Sequence, residues 1–321
     1  MSKIVTVVGA MGMQGGSVVR ALLSTNNYTI RAITRNRNTD KTKALLSQGV
    51  DVVEADINNM ESLRAAFAGS YAIYAVTNFF DVFAEVGVAK SLDIEVKQGI
   101  NLAKAAAATA SLRHYIWSTL PNSHRLSDGK VIVPHYEGKN QVDDYIRAVP
   151  ALFNKTTFLW VTFYAVNINY PWYMPFTIPN SNPAKVYSVW ATPAWVPIKL
   201  VGDGAVNVGL FVKSILEQPQ KALPGKFVLA ATDDMTAGEL VAAWAHLQGK
   251  ESVYLEVDKE TYYNMWPIWG EEMDISHMYW ELMKDQSFSG ESVLTKDDLG
   301  VTGLVDTKAA FAKMQADTVG T

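Results

Sequence analysis

Residues 7–23 read VVGAMGMQGGSVVRALL, and the meaning of this stretch settles how the rest of the chain is organised. Lys3 to Val8 is a β-branched run with the character of a buried strand. From Gly15 to Ser24, Val18, Val19, Leu22 and Leu23 recur at helical spacing. Between the two, Gly9, Gly12 and Gly15 stand three apart. In such a strand–loop–helix turn the first glycine permits the sharp bend. The second lets backbone amides approach a pyrophosphate, and the third lets helix and strand pack closely. The helix start then offers unpaired amides and the positive end of its dipole to phosphate. A glycine triplet alone is weak evidence; in this context it points to a dinucleotide.

The same rhythm continues. Thr29–Thr34 and Val50–Ala55 read as strands, with Lys41–Ser47 as the helix between them. Asn58 and Asn59 can cap a helix that runs to Phe67 and stops at Gly69. Tyr71–Val76 is a fourth strand, Val86–Ala108 a long helix and His114–Ser118 a fifth strand. This alternation is that of an open parallel sheet with helices on both faces. After about residue 155 it breaks into strand-like pieces (FLWVTFYAV, KFVLAA), Pro-rich loops (YPWYMPFTIPNSNP) and helices at Gly238–Leu247 and Met273–Lys284. The expected architecture is a Rossmann-type doubly wound parallel sheet over residues 1–155. A smaller C-terminal α+β lobe covers 156–321, with some of its strands returning to the sheet.

The chain has 321 residues, a formal net charge of −4 and no cysteine. The charge gives no general pull toward nucleic acid or anionic membrane. Disulfides, thiolate metal sites and cysteine nucleophiles are excluded, and no metal site is expected. No stretch approaches the roughly 18 apolar residues of a membrane span, and the N-terminus enters a strand directly, so a soluble cytoplasmic protein is expected.

The end of the second strand selects the cofactor. An acid there takes the ribose hydroxyls of NAD, whereas NADP needs positive charge for its 2′-phosphate. The chain reads Thr34-Arg35-Asn36-Arg37 with Lys41 following, which favours NADP(H), and Arg35 is suited to fork onto phosphate.

With these residues assembled, the chain resembles the NmrA-like branch of the atypical short-chain dehydrogenase/reductase superfamily. The resemblance rests on Gly-Ala-x-Gly-x-Gln-Gly-Gly at residues 9–16, IRAITRN, VVEADINNMESLRAAFAG and YAIYAVTNFF, and it covers the first 150 residues best. It implies an NADP(H) site in which Gly9, Gly12, Met13, Gln14 and Gly15 line the pyrophosphate and Arg35 meets the 2′-phosphate. Asp56 and Ile57 would bracket the adenine, and Thr77 and Asn78 would sit beside the nicotinamide ribose. Val206-Asn207-Val208-Gly209 resembles a later helix start of extended members, with Asn in place of Asp.

Reductases of the superfamily use Tyr-x-x-x-Lys after the fifth strand, helped by a Ser or Thr at the strand's end. Here the strand ends Trp117-Ser118-Thr119 and the helix reads PHYEGKNQVDDY. Ser118 and Lys139 are therefore present as cofactor-side residues, but the position four before the lysine is His135. Tyr136 is one residue off, about 100° around the helix. Three readings stay open: His135 replaces tyrosine as proton donor; the protein binds NADP(H) without hydride chemistry and signals through a protein partner; or His135 only begins the helix while Lys139 holds the ribose.

Eight of the nine tryptophans follow residue 155. Many buried aromatics are core filler, yet rings at the opening of a doubly wound sheet suit a flat substrate. Phe79, Trp160, Tyr164, Trp172 and Trp190 are the candidate lining, and Asp81, Glu271, Glu272 and Asp274 are acids with no assigned role. The expected function is NADPH-dependent reduction of a C=N, C=C or quinone-like bond in a bulky aromatic molecule. A biosynthetic cyclase or isomerase that edits an intermediate with NADPH is a variant, and a non-catalytic redox sensor acting on a transcription factor is the alternative.

Overall fold

The computed structural model describes residues 3–319; the outer ends of the two expected units, residues 1–2 and 320–321, lie outside them. Through the first half run β1 (Lys3–Val7), α1 (Met13–Leu23), β2 (Tyr28–Thr34), α2 (Asp40–Ser47), β3 (Asp51–Glu54), α3 (Met60–Phe67), β4 (Ala72–Ala75), α4 (Phe80–Ala107), β5 (His114–Thr119), α5 (Ser123–Leu126), α6 (Pro134–Arg147), α7 (Pro150–Phe153) and β6 (Thr156–Val161). The second half begins with β7 (Phe163–Tyr164), β8 (Lys185–Trp190), β9 (Pro197–Gly202), α8 (Gly204–Glu217) and α9 (Pro219–Ala222). It continues through β10 (Lys226–Ala230), β11 (Asp233–Thr236), α10 (Ala237–Leu247), β12 (Glu251–Glu256), α11 (Lys259–Met265), α12 (Trp269–Met283), β13 (Val293–Leu294) and α13 (Thr307–Val319).

Eight strands form one sheet in the order β13-β10-β6-β5-β4-β1-β2-β3, and every pairing in it is parallel. The direction of strand order reverses between β1 and β4. In open α/β sheets the crevice at such a reversal, beyond the carboxyl ends of the strands, is where ligands bind. The glycine loop leaves β1 into it, and Thr77-Asn78 leaves β4 beside it.

The sheet is buried on both faces, which is why its strands read as continuous apolar runs. On one face Val18, Val19 and Leu22 of α1 meet Val208, Phe211 and Ile215 of α8. Gly209 makes that helix contact possible, because a Cβ there would lie 2.1 Å from the Ser17 carbonyl oxygen. On the other face Leu63 and Phe67 of α3, Leu102 of α4, and Val142 and Ile146 of α6 cover the strands. A third cluster, with Tyr173, Trp190, Leu240 and Tyr279, is the core of the C-terminal segments. Those segments add a three-stranded sheet, β11-β9-β7, and a two-stranded one, β12-β8.

The asparagine at position 207 has a physical reason. Its Nδ2 donates to the carbonyls of Val201 and Val305, at 2.6 and 2.7 Å, while Oδ1 accepts from the Val305 amide. Aspartate has no N–H to donate, so only the amide can tie the end of β9 to the segment before α13.

One boundary differs from the sequence reading with consequences for the site. The fourth helix begins at Phe80 rather than Val86, because two helical segments are joined across Gly87, whose φ of 75° breaks the helical geometry. The added first segment carries Phe80 and Phe83. Among the described residues no helix is long and apolar enough to cross a membrane.

Candidate active site

The glycine loop has the form of a phosphate cradle. Gly9 takes a φ of +69°, in the left-handed region that favours glycine. A Cβ on Gly15 would sit 2.3 Å from the Gly9 carbonyl oxygen and 2.8 Å from the Ala10 nitrogen, so the helix start lies against the strand exit. At Gly12 the nearest atom to an added Cβ is 3.4 Å away, which leaves that position open for approach. Helix α1 has no side-chain cap and no acid in its first turn, so its early amides remain available to an anion. A pyrophosphate fits this donor set. Met13 is partly exposed on the loop, with its sulfur beside Gly204.

Gln14 behaves differently from a simple loop residue. Its Oε1 accepts from Ser118 Oγ at 2.8 Å and from the Tyr74 hydroxyl, and its Nε2 donates to the Tyr164 hydroxyl at 2.5 Å. The side chain thus pins the start of α1 to β4, β5 and β7. Only its backbone is left to face a pyrophosphate. Ser118, whose superfamily counterpart assists catalysis, is committed to Gln14, and Tyr164 belongs to this anchor rather than to an open substrate surface.

At the tip of β2, Thr34 Oγ1 donates to the Asn36 carbonyl and accepts from its amide, which fixes the turn. Arg35 projects from that turn with its side chain 76% exposed, and among the described residues its only ion-pair partner is Asp81 at 4.0 Å. Its guanidinium is open to a phosphate. Asp56 accepts from the Asn58 amide at 2.8 Å in a turn after β3, and the Ile57 carbonyl accepts from Asn101 at 3.1 Å. These residues line the same edge of the crevice as Arg35.

At the end of β4, Lys139 Nζ donates to Thr77 O and Oγ1, both at 3.1 Å, and to Glu95 Oε1 at 2.9 Å. Thr77 Oγ1 also donates to Glu95 Oε1. Glu95 is buried, and a Cβ on Gly138 would lie 2.8 Å from its Oε2, so the carboxylate fills the groove between α4 and α6. This partner was not singled out in the sequence, although Ser91, Glu95, Gly99 and Ala103 recur every fourth residue and all are buried. Small residues flanking an acid at that spacing mark the inward face of a helix. Asn78 binds Asp81 at 3.1 Å and, through Oδ1, accepts from the Phe80 amide as α4 begins.

One helical turn before Lys139, His135 Nδ1 lies 2.8 Å from Glu272 Oε1. Glu272 belongs to the first turn of α12 and is buried. The structure therefore selects one of the four unassigned acids. Tyr136 points elsewhere: it is buried against Tyr279, and burial raises its pKa far above the ordinary tyrosine range, so it does not stand in for the missing tyrosine.

Around His135 stands an aromatic wall. The Phe80 ring is 5.1 Å and the Phe79 ring 6.1 Å from the imidazole, and Trp269 lies 5.9 Å from Phe80 and 5.0 Å from Phe83. Trp172 stacks on Trp269 at 4.7 Å and on Tyr170 at 5.1 Å. Ile268, immediately before Trp269, holds a φ of 72°, a conformation that is costly for a β-branched residue. Phe79, which is buried, and Trp172 pack within this group of rings.

Trp160 and Trp190 do not, and here the expectation is corrected. Trp160 lies in the sheet core, 4.8 Å from Phe227 and 6.0 Å from Phe288. Trp190 is fully buried between Tyr173 and His277 in the C-terminal core, its Nε1 donating to Ser188. Trp160 sits on a strand buried at every position, and Trp190 on one whose alternate positions face inward. Trp269, by contrast, heads a helix at the crevice, a distinction of position that residue type cannot convey.

The fold and this site define a dinucleotide-type α/β protein with a packed aromatic cluster beside the cofactor crevice. A family model for the NmrA-like family matches residues 1–310, and the chain belongs to that family. An NmrA-like family domain-containing oxidoreductase of Aspergillus hancockii, hkm9, is 28% identical over 268 residues, covering 78% of this chain and 74% of its own. NmrA, a negative transcriptional regulator solved in complex with NADP, superposes with a TM-score of 0.75 at 19% identity, covering 100% of this chain and 98% of its own. The triphenylmethane reductase of Citrobacter sp., solved with NADP(H), gives 0.70 at 20% identity over 97% of this chain and 99% of its own. At these identities the structural likeness establishes the fold.

Proposed function

We propose that the protein is a cytoplasmic NADP(H)-dependent oxidoreductase that reduces a bulky aromatic or heteroaromatic small molecule at a C=N, C=C or quinone-like bond. The observation that carries this reading is the placement of His135, with Phe79, Phe80, Phe83, Trp172 and Trp269 about it, one helical turn from the Lys139–Thr77 contact. A cofactor cradle alone needs no such ring cluster. In this reading residues 1–155 hold the dinucleotide and 156–321 shape the substrate side. Lys139 and Thr77 orient the ribose, Arg35 takes the 2′-phosphate, and the aromatic wall binds the flat substrate and excludes water. A bound reduced nicotinamide supplies hydride. His135 supplies the proton. The oxidoreductase name carried by the Aspergillus hancockii relative and the triphenylmethane substrate class of the Citrobacter enzyme support the assignment.

The second reading, a non-catalytic sensor that binds a protein partner, is favoured by the likeness to NmrA. One experiment separates them. Purified protein is expected to oxidise NADPH with at least one member of a panel of aromatic imines, enones and quinones. No turnover with any member, together with partner capture that depends on the NADP+/NADPH ratio, would overturn the enzyme reading. The cofactor assignment has its own check. Arg35→Ala should weaken NADPH binding about 10- to 100-fold, the range of a lost hydrogen bond to a charged group, while NADH affinity stays within about 2-fold because NADH has no 2′-phosphate to lose. Equal losses for both would show that Arg35 does not read that phosphate.

A further inference from the structure

The pairing of His135 with Glu272 says more than that a proton donor exists. Nδ1 is held at 2.8 Å by Glu272 Oε1, and Nε2 makes no hydrogen bond among the described residues. Glu272 reaches His135 from α12, 137 residues along the chain. Its carboxylate is 1% exposed, and its second oxygen, Oε2, has no hydrogen-bond partner among the described residues. The imidazole is thus the principal partner of a buried carboxylate. Against an ionised carboxylate, which can only accept, Nδ1 donates, and Nε2 is left as the exchangeable nitrogen directed away from Glu272. An acid held against one ring nitrogen in this way fixes the tautomer and favours the imidazolium that forms during proton transfer.

Resting on the oxidoreductase reading above, we infer that Glu272 is the positioning residue for His135 and that the favoured substrates are neutral conjugated carbonyl compounds, such as flat aryl enones and quinones. These are acceptors whose reduction needs a proton as well as a hydride. The balance is complete with groups already named. With hydride supplied by a bound reduced nicotinamide, a C–H bond would form at the electrophilic carbon, the C=C π bond would break, and its electron pair would move through the conjugated system to oxygen. That oxygen takes the proton from Nε2 of the imidazolium, and the ring returns to its Nδ1–H form and is reprotonated by water. A preformed aryl cation needs no such donor, because hydride alone quenches it. The dyad would be idle with such a substrate.

The test has two arms. In the unliganded wild-type protein, side-chain 15N spectra at a pH where His135 is neutral should show it as the Nδ1–H tautomer; a dominant Nε2–H tautomer would overturn the dyad. This arm needs no variant and no substrate, so it stands or falls separately from the oxidoreductase reading, which fails if NADPH is oxidised with no acceptor at all. In the kinetic arm, Glu272→Gln should lower kcat for a naphthoquinone by about 10- to 100-fold with KM within about 3-fold, as for loss of support to a general acid. The same variant should leave kcat for a triarylmethyl cation within about 2-fold, and Glu272→Asp should recover part of the quinone rate. Equal losses with both acceptors would mean that Glu272 merely holds the fold, and a wild-type preference for the cation would overturn the substrate class.

Discussion

Gly15→Ala is expected to abolish useful cofactor affinity and to destabilise the protein by about 1–3 kcal/mol, the usual range for overpacking a tight contact. The reason lies in what the new methyl would meet. It would be 2.3 Å from the carbonyl oxygen and 2.5 Å from the carbonyl carbon of Gly9, and 2.8 Å from the Ala10 nitrogen. All three are backbone atoms, so no side chain can turn aside. Helix α1 would have to move off the loop, and the early amides that face the crevice would move with it. Gly12→Ala is the informative comparison. Its methyl would meet nothing closer than 3.4 Å, and its φ of −89° suits any residue. That variant should unfold at nearly the wild-type urea midpoint yet bind NADPH at least about 10-fold more weakly, because the methyl occupies the approach of the pyrophosphate. Titration of NADPH alongside urea unfolding checks both. Equal stability losses at the two positions would mean that Gly15 does not set the helix-to-loop distance.

The contrast between these glycines shows what the sequence can and cannot convey. Spacing at Gly9, Gly12 and Gly15 disclosed the loop, the parallel sheet and the crevice, because those features depend on local backbone geometry and period. Arg35 was legible for the same reason: it stands at a fixed distance from the loop on a strand end. The side of the crevice around His135 was only half legible. The absence of tyrosine at position 135 could be read directly, and so could Lys139. Their partners could not, since Glu95 and Glu272 arrive from helices 44 and 137 residues distant. Aromatic residues were the least reliable guide. Trp160 and Trp269 look alike in composition, but one fills the sheet core and the other walls the crevice. Nothing short of the chain's path separates them, because burial against strands and burial against a ligand favour the same rings.

Lys139→Met is the second large effect expected. Among the described residues, the ammonium it removes is the only cation paired with Glu95, whose side chain is 1% exposed. Removing one member of a buried ion pair leaves the other without compensation, at a cost of about 3–5 kcal/mol. Thr77 Oγ1 still donates to Glu95 Oε1, but a neutral hydroxyl offsets only part of that cost. Adding Glu95→Gln in the same chain should recover more than half of the lost stability. The amide keeps an acceptor for Thr77 and carries no charge into the groove beside Gly138. If the pair were merely an exposed contact, the two substitutions would add, and the double variant would be the least stable of the set. Function should follow a different order. The double variant regains its fold but lacks the ammonium beside Thr77, so its affinity for NADPH should remain as low as that of Lys139→Met. Urea unfolding of the four proteins gives the coupling, and NADPH titration of the same samples reports the ribose contact. Recovery of stability without recovery of binding separates the lysine's role in holding α4 against α6 from its role at the cofactor; recovery of both would remove Lys139 from the site.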